Sequence, residues 1–177
     1  MKTPDIIIAI DPDIDGSGVA ILNPSERMLR IEQFTLPVLV DYLRAAKPMY
    51  AKDGISFVVV VEASWLIRSN WHLDYNDSQK RAAAKGQRVG RNHEIGRQIV
   101  EFCKHLDIPY EEKYPLVKCW GGKDGKITHE ELLMLLDGMG VENLSGKATN
   151  QEKRDAALLA LDRSGLPLIL VPTKKQR

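Results

Sequence analysis

Two short runs constrain this chain more than any others. Ile6–Asp11 and Phe57–Glu62 are apolar and mostly β-branched, and each closes on an acid. Such side chains suit a pleated backbone, and a run apolar on both faces reads as a central strand covered on each side. Pro12, Asp13, Asp15 and Gly16 turn the chain directly after the first run, and Asp53-Gly54 bounds the second. A carboxylate at the tip of a core strand is costly unless a cation or a hydrogen-bond donor compensates it. If the two strands are parallel neighbours, Asp11 and Glu62 emerge at the same sheet edge.

The rest of the chain fits around that pair. Val19 to Leu22 continues as a second strand, residues 23–26 turn, and Met28–Phe34 returns as a third. Short connections of this kind imply antiparallel pairing. Pro37 starts a helix with apolar residues Leu39, Val40, Leu43 and Ala46 at helical spacing. Between Ala63 and about Gly90 no period holds. A helix is then predicted over 92–106, a short strand over 108–114, and a glycine loop at 121–125. Thr128 with Glu131 is a capping-box pattern opening a helix, and Thr149 with Glu152 is a second candidate opening the last helix over 151–163. Residues 167–171 are expected to form a terminal strand or an extended tail. The order predicts an α/β fold: a mixed central sheet, three antiparallel strands followed by parallel ones, flanked by helices. No repeat or linker divides it, so residues 1–177 are expected to be one domain.

Composition narrows the partners only locally. The net charge is +1, so no global field announces a polyanion or a membrane. Cys103 and Cys119 make no disulfide framework, which favours a reducing compartment. The N-terminus lacks a signal-peptide pattern and no run reaches membrane-spanning length. A soluble cytoplasmic protein without membrane partners is the expectation.

Two further acids extend the pair at the strand tips. Glu152 and Asp155 stand three apart on the last predicted helix, hence on one face. Asp155 precedes the apolar run 156–161, with Leu158 and Leu159 at helical spacing from it, which turns it toward the sheet. Oxygen-only ligands suit hard cations such as Mg²⁺ or Mn²⁺. Two such ions about 3.5–4 Å apart stabilise both the attacking and the leaving oxygen of a phosphodiester displacement. Blander roles compete: Asp11 as the start of an Asx turn, Glu62 as a solvated strand end, Glu152 as a cap partner of Thr149. The Asp11-x-Asp13-x-Asp15-Gly16 spacing mimics a calcium loop but fails, since the twelfth position is Leu22 and a strand precedes it. Asp13 and Asp15 are therefore read as turn residues. His129-Glu130 lacks the second histidine of a zinc motif.

Residues 78–91 carry Lys80, Arg81, Lys85, Arg88 and Arg91 without an acid, and Trp65, Trp71, His72 and Tyr75 lie upstream. A solvated helix face is the ordinary fate of such a run. The neighbouring acid Glu62 and the aromatic residues favour nucleic-acid contact instead, with cations on phosphates and rings on exposed bases.

Together these residues resemble the RuvC-like crossover junction endodeoxyribonucleases of the RNase H-like fold. The likeness runs from Ile6 to about Leu161. It is carried by Ile10-Asp11-Pro12 with Gly18, Glu62 with Trp65, and Gly96. Ile108-Pro109-Tyr110, Tyr114-Pro115, Val117-Lys118 and Lys126 continue it, and Asp155-Ala156-Ala157-Leu158 with Glu152 closes it. Asp13 stands where a glycine is common, and Glu152 where an aspartate is commoner. The resemblance implies a Mg²⁺-dependent homodimer, with Mn²⁺ as substitute, that nicks four-way (Holliday) DNA junctions symmetrically in recombination and repair. Asp11, Glu62, Glu152 and Asp155 would hold the metal, and Lys126, or less directly Lys118, would offset transition-state charge. A basic, aromatic insertion at 65–91 would lie toward the junction, with Trp65, Arg68, Trp71, Lys80, Arg81, Lys85, Arg88 and Arg91, beside Lys118, as DNA contacts. Competing expectations are a nuclease of the same fold acting on RNA/DNA hybrids or other branched DNA, and a DNA-binding scaffold without chemistry.

Overall fold

The first predicted strand, β1 (Ile6–Asp11), sits at the centre of the sheet. In this computed structural model, which describes residues 4–67, 78–145 and 149–166, β1 pairs antiparallel with β2 (Ser17–Asn23) and parallel with β4 (Phe57–Glu62). β3 (Met28–Phe34) is antiparallel to β2, and β5 (Tyr110–Lys113) is parallel to β4. A two-residue strand, β6 (Glu142–Asn143), adds in parallel to β3. The order β5-β4-β1-β2-β3-β6 is a mixed sheet flanked by helices, as expected from the sequence.

Alternation along β1 divides the core into two layers. Ile6, Ile8 and Ile10 pack with α1 (Leu36–Lys52) and α2 (Gln79–His105) on one face. Ile7 and Ala9 pack with α3 (His129–Gly138) and α4 (Gln151–Ser164) on the other. The α4 face is built from small residues, with Ala9 and Ala20 on the sheet and Ala156, Ala157 and Ala160 on the helix. Their size lets the helix approach closely. The approach is tightest at Gly18, where a Cβ would lie only 2.0 Å from the Glu152 carbonyl oxygen. Gly18 is the register partner of Asp11. The first turn of α4 is therefore pressed down beside the acid that ends β1.

Three expectations need correction. The second helix starts at Gln79 rather than near Asn92, capped by the Ser78 hydroxyl, which accepts from the Arg81 N–H at 3.4 Å. The basic stretch from residue 79 onward is thus the first half of α2. Its apolar period is missing because it stands off the core: the first buried residue of α2 is Gly96. The last helix is capped by Asn150, whose Oδ1 accepts from the Lys153 N–H at 3.1 Å, and not by Thr149. Glu152 therefore falls one position short of a capping-box partner, and its blander role lapses. The strand β6 lies in what the sequence presents only as a glycine-punctuated connection. By contrast, the box at Thr128 forms as expected, with Glu131 N–H donating to its hydroxyl at 3.2 Å and Thr128 N–H donating to the Glu131 carboxylate at 2.9 Å. Arg68, Trp71, His72, Tyr75 and the tail at 167–171 lie outside the described residues. Among those described, no helix is long and apolar enough to cross a membrane.

Candidate active site

The parallel pairing of β1 and β4 brings Asp11 and Glu62 to one end of the sheet, and α4 adds Glu152 and Asp155 from above. All four line a single open cleft of about 1060 Å³. Lys85 and Arg88 of α2, and Lys118 and Lys126 from the loop after β5, line it too. Four acids from three elements far apart in sequence thus share one cavity.

Their charges interact strongly. Burial, then the negative charges of Glu62, Asp155, Glu152 and Asp13, hold the Asp11 carboxyl well above the usual carboxylate range. Glu62 is pushed up to about 7 by burial and by Asp155, against the pull of Lys118 and Lys126. Asp155 is raised by burial, with the Gln151 hydrogen bond and Lys118, Lys126 and Arg154 acting the other way. Each group resists ionisation chiefly because burial penalises its charged form, and for Asp11 and Glu62 the neighbouring carboxylates add repulsion. As the side chains stand, no three described His, Cys, Asp or Glu residues are arranged to hold one ion. The donor chemistry, hard oxygens with excess negative charge, nonetheless fits a hard divalent cation, whose charge would remove that repulsion.

The loop carrying both lysines owes its shape to glycines. Gly122 N–H donates to the Lys126 carbonyl at 3.0 Å, and Trp120 N–H donates to the Gly125 carbonyl at 3.0 Å. A Cβ at Gly122 would sit 2.3 Å from the Lys126 carbonyl oxygen, and one at Gly125, where φ is +72°, would sit 2.9 Å from that of Lys118. Only glycine permits this double closure, which brings Lys118 and Lys126 to the same cleft.

At the cleft mouth, the turn after Asp11 is clasped to α2. Asp13 is buried; its Oδ1 accepts from the Asp15 N–H at 2.9 Å and its Oδ2 from Asn92 Nδ2 at 2.9 Å. Asn92 Oδ1 in turn accepts from the Ile14 N–H at 3.1 Å. Arg88 reaches Asp13 and Asp15 at 3.4 and 3.2 Å. The expectation that Asp13 and Asp15 are turn residues fits these bonds.

Of the expected DNA contacts, Lys85, Arg88 and Lys118 line the cleft, whereas Lys80, Arg81 and Arg91 are exposed along α2 outside it. Trp65 is half-buried: a Cβ on Gly96 would meet its ring at 2.2 Å, and its Nε1 donates to Glu112 at 3.1 Å. Sequence reasoning passed over Asn92, Gln151 and Arg154. The helical spacing of Gln151 and Asp155 was the available signal, and Gln151 Nε2 does donate to Asp155 Oδ1, at 2.7 Å.

No protein-family model and no curated protein matches this chain in sequence. Among solved structures, it aligns with T. thermophilus RuvC in complex with Holliday junction substrate at 19% identity and a TM-score of 0.43, over 88% of this chain and 90% of that one. It also aligns with a Thermus thermophilus RuvC structure at 16% identity and a TM-score of 0.37, over 91% and 97% of the two chains.

Proposed function

We propose that this protein is a divalent-metal-dependent endonuclease acting on branched DNA, with the four-way junction as its preferred substrate. The observation that carries the proposal is the shared cleft, where Asp11, Glu62, Glu152 and Asp155 meet four cations, Lys85, Arg88, Lys118 and Lys126. Binding alone would not call for acids where a phosphate backbone is to be held. Asp11, Glu62, Glu152 and Asp155 would hold the ion, Mg²⁺ or Mn²⁺ by their oxygen-only donor set. The chemistry such an ion supplies is Lewis-acid polarisation of the phosphodiester.

The chain's own residues do the rest. Lys118 and Lys126 offset negative charge on the phosphate opposite the acids, and the glycine-closed loop fixes their separation. Lys85 and Arg88 sit where a strand leaving the cleft would pass, and Lys80, Arg81 and Arg91 extend the positive track along the exposed face of α2. The open cleft suits a backbone rather than a small molecule. Symmetric nicking of a four-way junction calls for a second copy of the chain, since two-fold symmetry in the protein matches that of the substrate. Such a dimer has twice the monomer mass in solution and binds one junction.

The test is a comparison of labelled substrates: a mobile four-way junction, an RNA/DNA hybrid duplex and a simple flap, each with Mg²⁺ and with EDTA. Paired nicks in the junction, absent in EDTA, are the expected result. Preferential cutting of the hybrid would transfer the reading to RNA/DNA substrates. Tight junction binding without cutting in either Mg²⁺ or Mn²⁺ would leave a DNA-binding scaffold.

A further inference from the structure

Arg154 is not among the residues that line the cleft, yet its guanidinium is bonded to three groups beside it. Its Nε donates to the Ile127 carbonyl at 2.8 Å, its Nη1 to the Thr149 carbonyl, and its Nη2 to Gln151 Oε1 at 2.9 Å. A guanidinium has donors only, so the Gln151 amide must turn its oxygen toward Arg154. That leaves the amide nitrogen at the other end, and Nε2 donates to Asp155 Oδ1 at 2.7 Å. Reversing the amide would set N–H against N–H and oxygen against carboxylate, losing two hydrogen bonds and adding two repulsions. The polarity of Gln151 is therefore fixed by Arg154, and with it the donor presented to Asp155. One bond to Oδ1 leaves the second carboxylate oxygen to a further partner.

The same guanidinium holds the carbonyl of Ile127, the residue after Lys126. One side chain thus ties the helix bearing Asp155 to the loop bearing Lys126. Neither Gln151 nor Arg154 takes part in the like-charge group itself.

We propose that Arg154, acting through Gln151, is a positioning residue: it holds the Asp155 carboxylate turned into the cleft and keeps the Lys126 loop in register with it. This inference rests on the nuclease reading above. Outer partners of metal-ligating carboxylates typically contribute about 10–100-fold in metal affinity.

The experiment titrates Mn²⁺ alone, without DNA, into the full chain and into Gln151→Leu, Arg154→Lys and the double variant, following free Mn²⁺ by electron paramagnetic resonance. Gln151→Leu keeps the size and drops the amide; Arg154→Lys keeps the charge and drops the fork. Each single variant is expected to raise the half-saturating Mn²⁺ concentration about 10-fold or more. The double variant should add less than about twofold to Gln151→Leu, because both changes cut one chain of bonds. Melting curves in EDTA show whether each variant folds. If Arg154→Lys does not, Gln151→Leu carries the test. Mn²⁺ binding that is unchanged in folded variants, or shifts that multiply independently, would overturn the relay and leave the nuclease reading in place. A native chain that takes up no Mn²⁺ would overturn both.

Discussion

Helix α4 meets charge at both of its ends and treats it in opposite ways. At its C-terminal end every charge has an opposite partner on β5: Arg163 grips Glu111 with two bonds of 2.7 Å, and Asp162 pairs with Lys113. Arg163 draws the Glu111 carboxyl below its ordinary range, chiefly through that hydrogen-bonded fork. At the N-terminal end, Glu152 and Asp155 join Asp11 and Glu62, and the carboxyls of Asp11, Glu62 and Asp155 are pushed upward. One helix, two solutions. Paired charges at an edge hold a fold together; like charges gathered in a cleft cost stability and are kept where an external cation or a reaction uses them.

The contrast can be broken in several places. The largest effect is expected from Glu62→Gln, which should lower junction cleavage by about 10³-fold, comparable to removing a major electrostatic contact in other enzymes. The same change should raise the melting temperature of the metal-free protein above pH 7, because a repelled carboxylate is gone. A variant that lost both activity and stability would mean Glu62 is structural.

Gly18→Ala should come next. Its Cβ would strike the backbone of Glu152, so α4 must lift from the sheet beside Asp11. A loss of about 3 kcal/mol is expected in urea unfolding, in the range of overpacked cores. Cleavage by the folded fraction should fall as well, since Glu152 and Asp155 ride on that helix.

The two ends of α4 should also differ in the sign of their pH dependence. Glu62 is raised from 4.5 to about 7, so the stability linked to its neutral form is complete below about pH 4.5 and lost as pH rises through 7. Glu111 is lowered from 4.5, so its contribution is present above that value and lost as pH falls through its folded value. Melting temperatures in EDTA from pH 3 to 9 should show the first slope shrink in Glu62→Gln, with the raised Asp11 and Asp155 carboxyls supplying what remains, and the second shrink in Glu111→Gln.

The smallest effect belongs to Glu111→Gln at neutral pH. The Glu111 and Arg163 side chains are 38% and 25% exposed, and solvent screening limits such a pair to about 1 kcal/mol or less. Cleavage should be unchanged. An activity loss would show that the paired end also serves the cleft.

Much of this was legible in the residues. Two apolar runs ending in acids marked central strands, and the condition that brings both acids to one edge, parallel pairing of neighbours, is met by β1 and β4. The helix at Leu39, Val40, Leu43 and Ala46 buries those four residues. What stayed hidden was whatever has no apolar period. The first half of α2 is exposed, so no apolar period marked where the helix begins, and Lys80 to Arg91 could be read only as a solvated helix face or a nucleic-acid contact. The two-residue β6 exchanges backbone bonds with β3 and needs no side-chain pattern. The cap of α4 slipped by one residue because Thr149 and Asn150 are both good caps. Thr149 Oγ1 lies instead 3.1 Å from His129 Nδ1, a contact only the tertiary fold creates. The closeness of Gly18 to Glu152 is likewise a long-range fact, and it decides where the acids of α4 come to rest.

The most direct test of the shared acidic cleft uses a labelled four-way junction with native protein and with Asp11→Asn, in Mg²⁺ and in EDTA. The native chain is expected to nick the junction in Mg²⁺ only, while Asp11→Asn binds it equally well and leaves it intact. Undiminished cutting by Asp11→Asn would contradict the account at its centre.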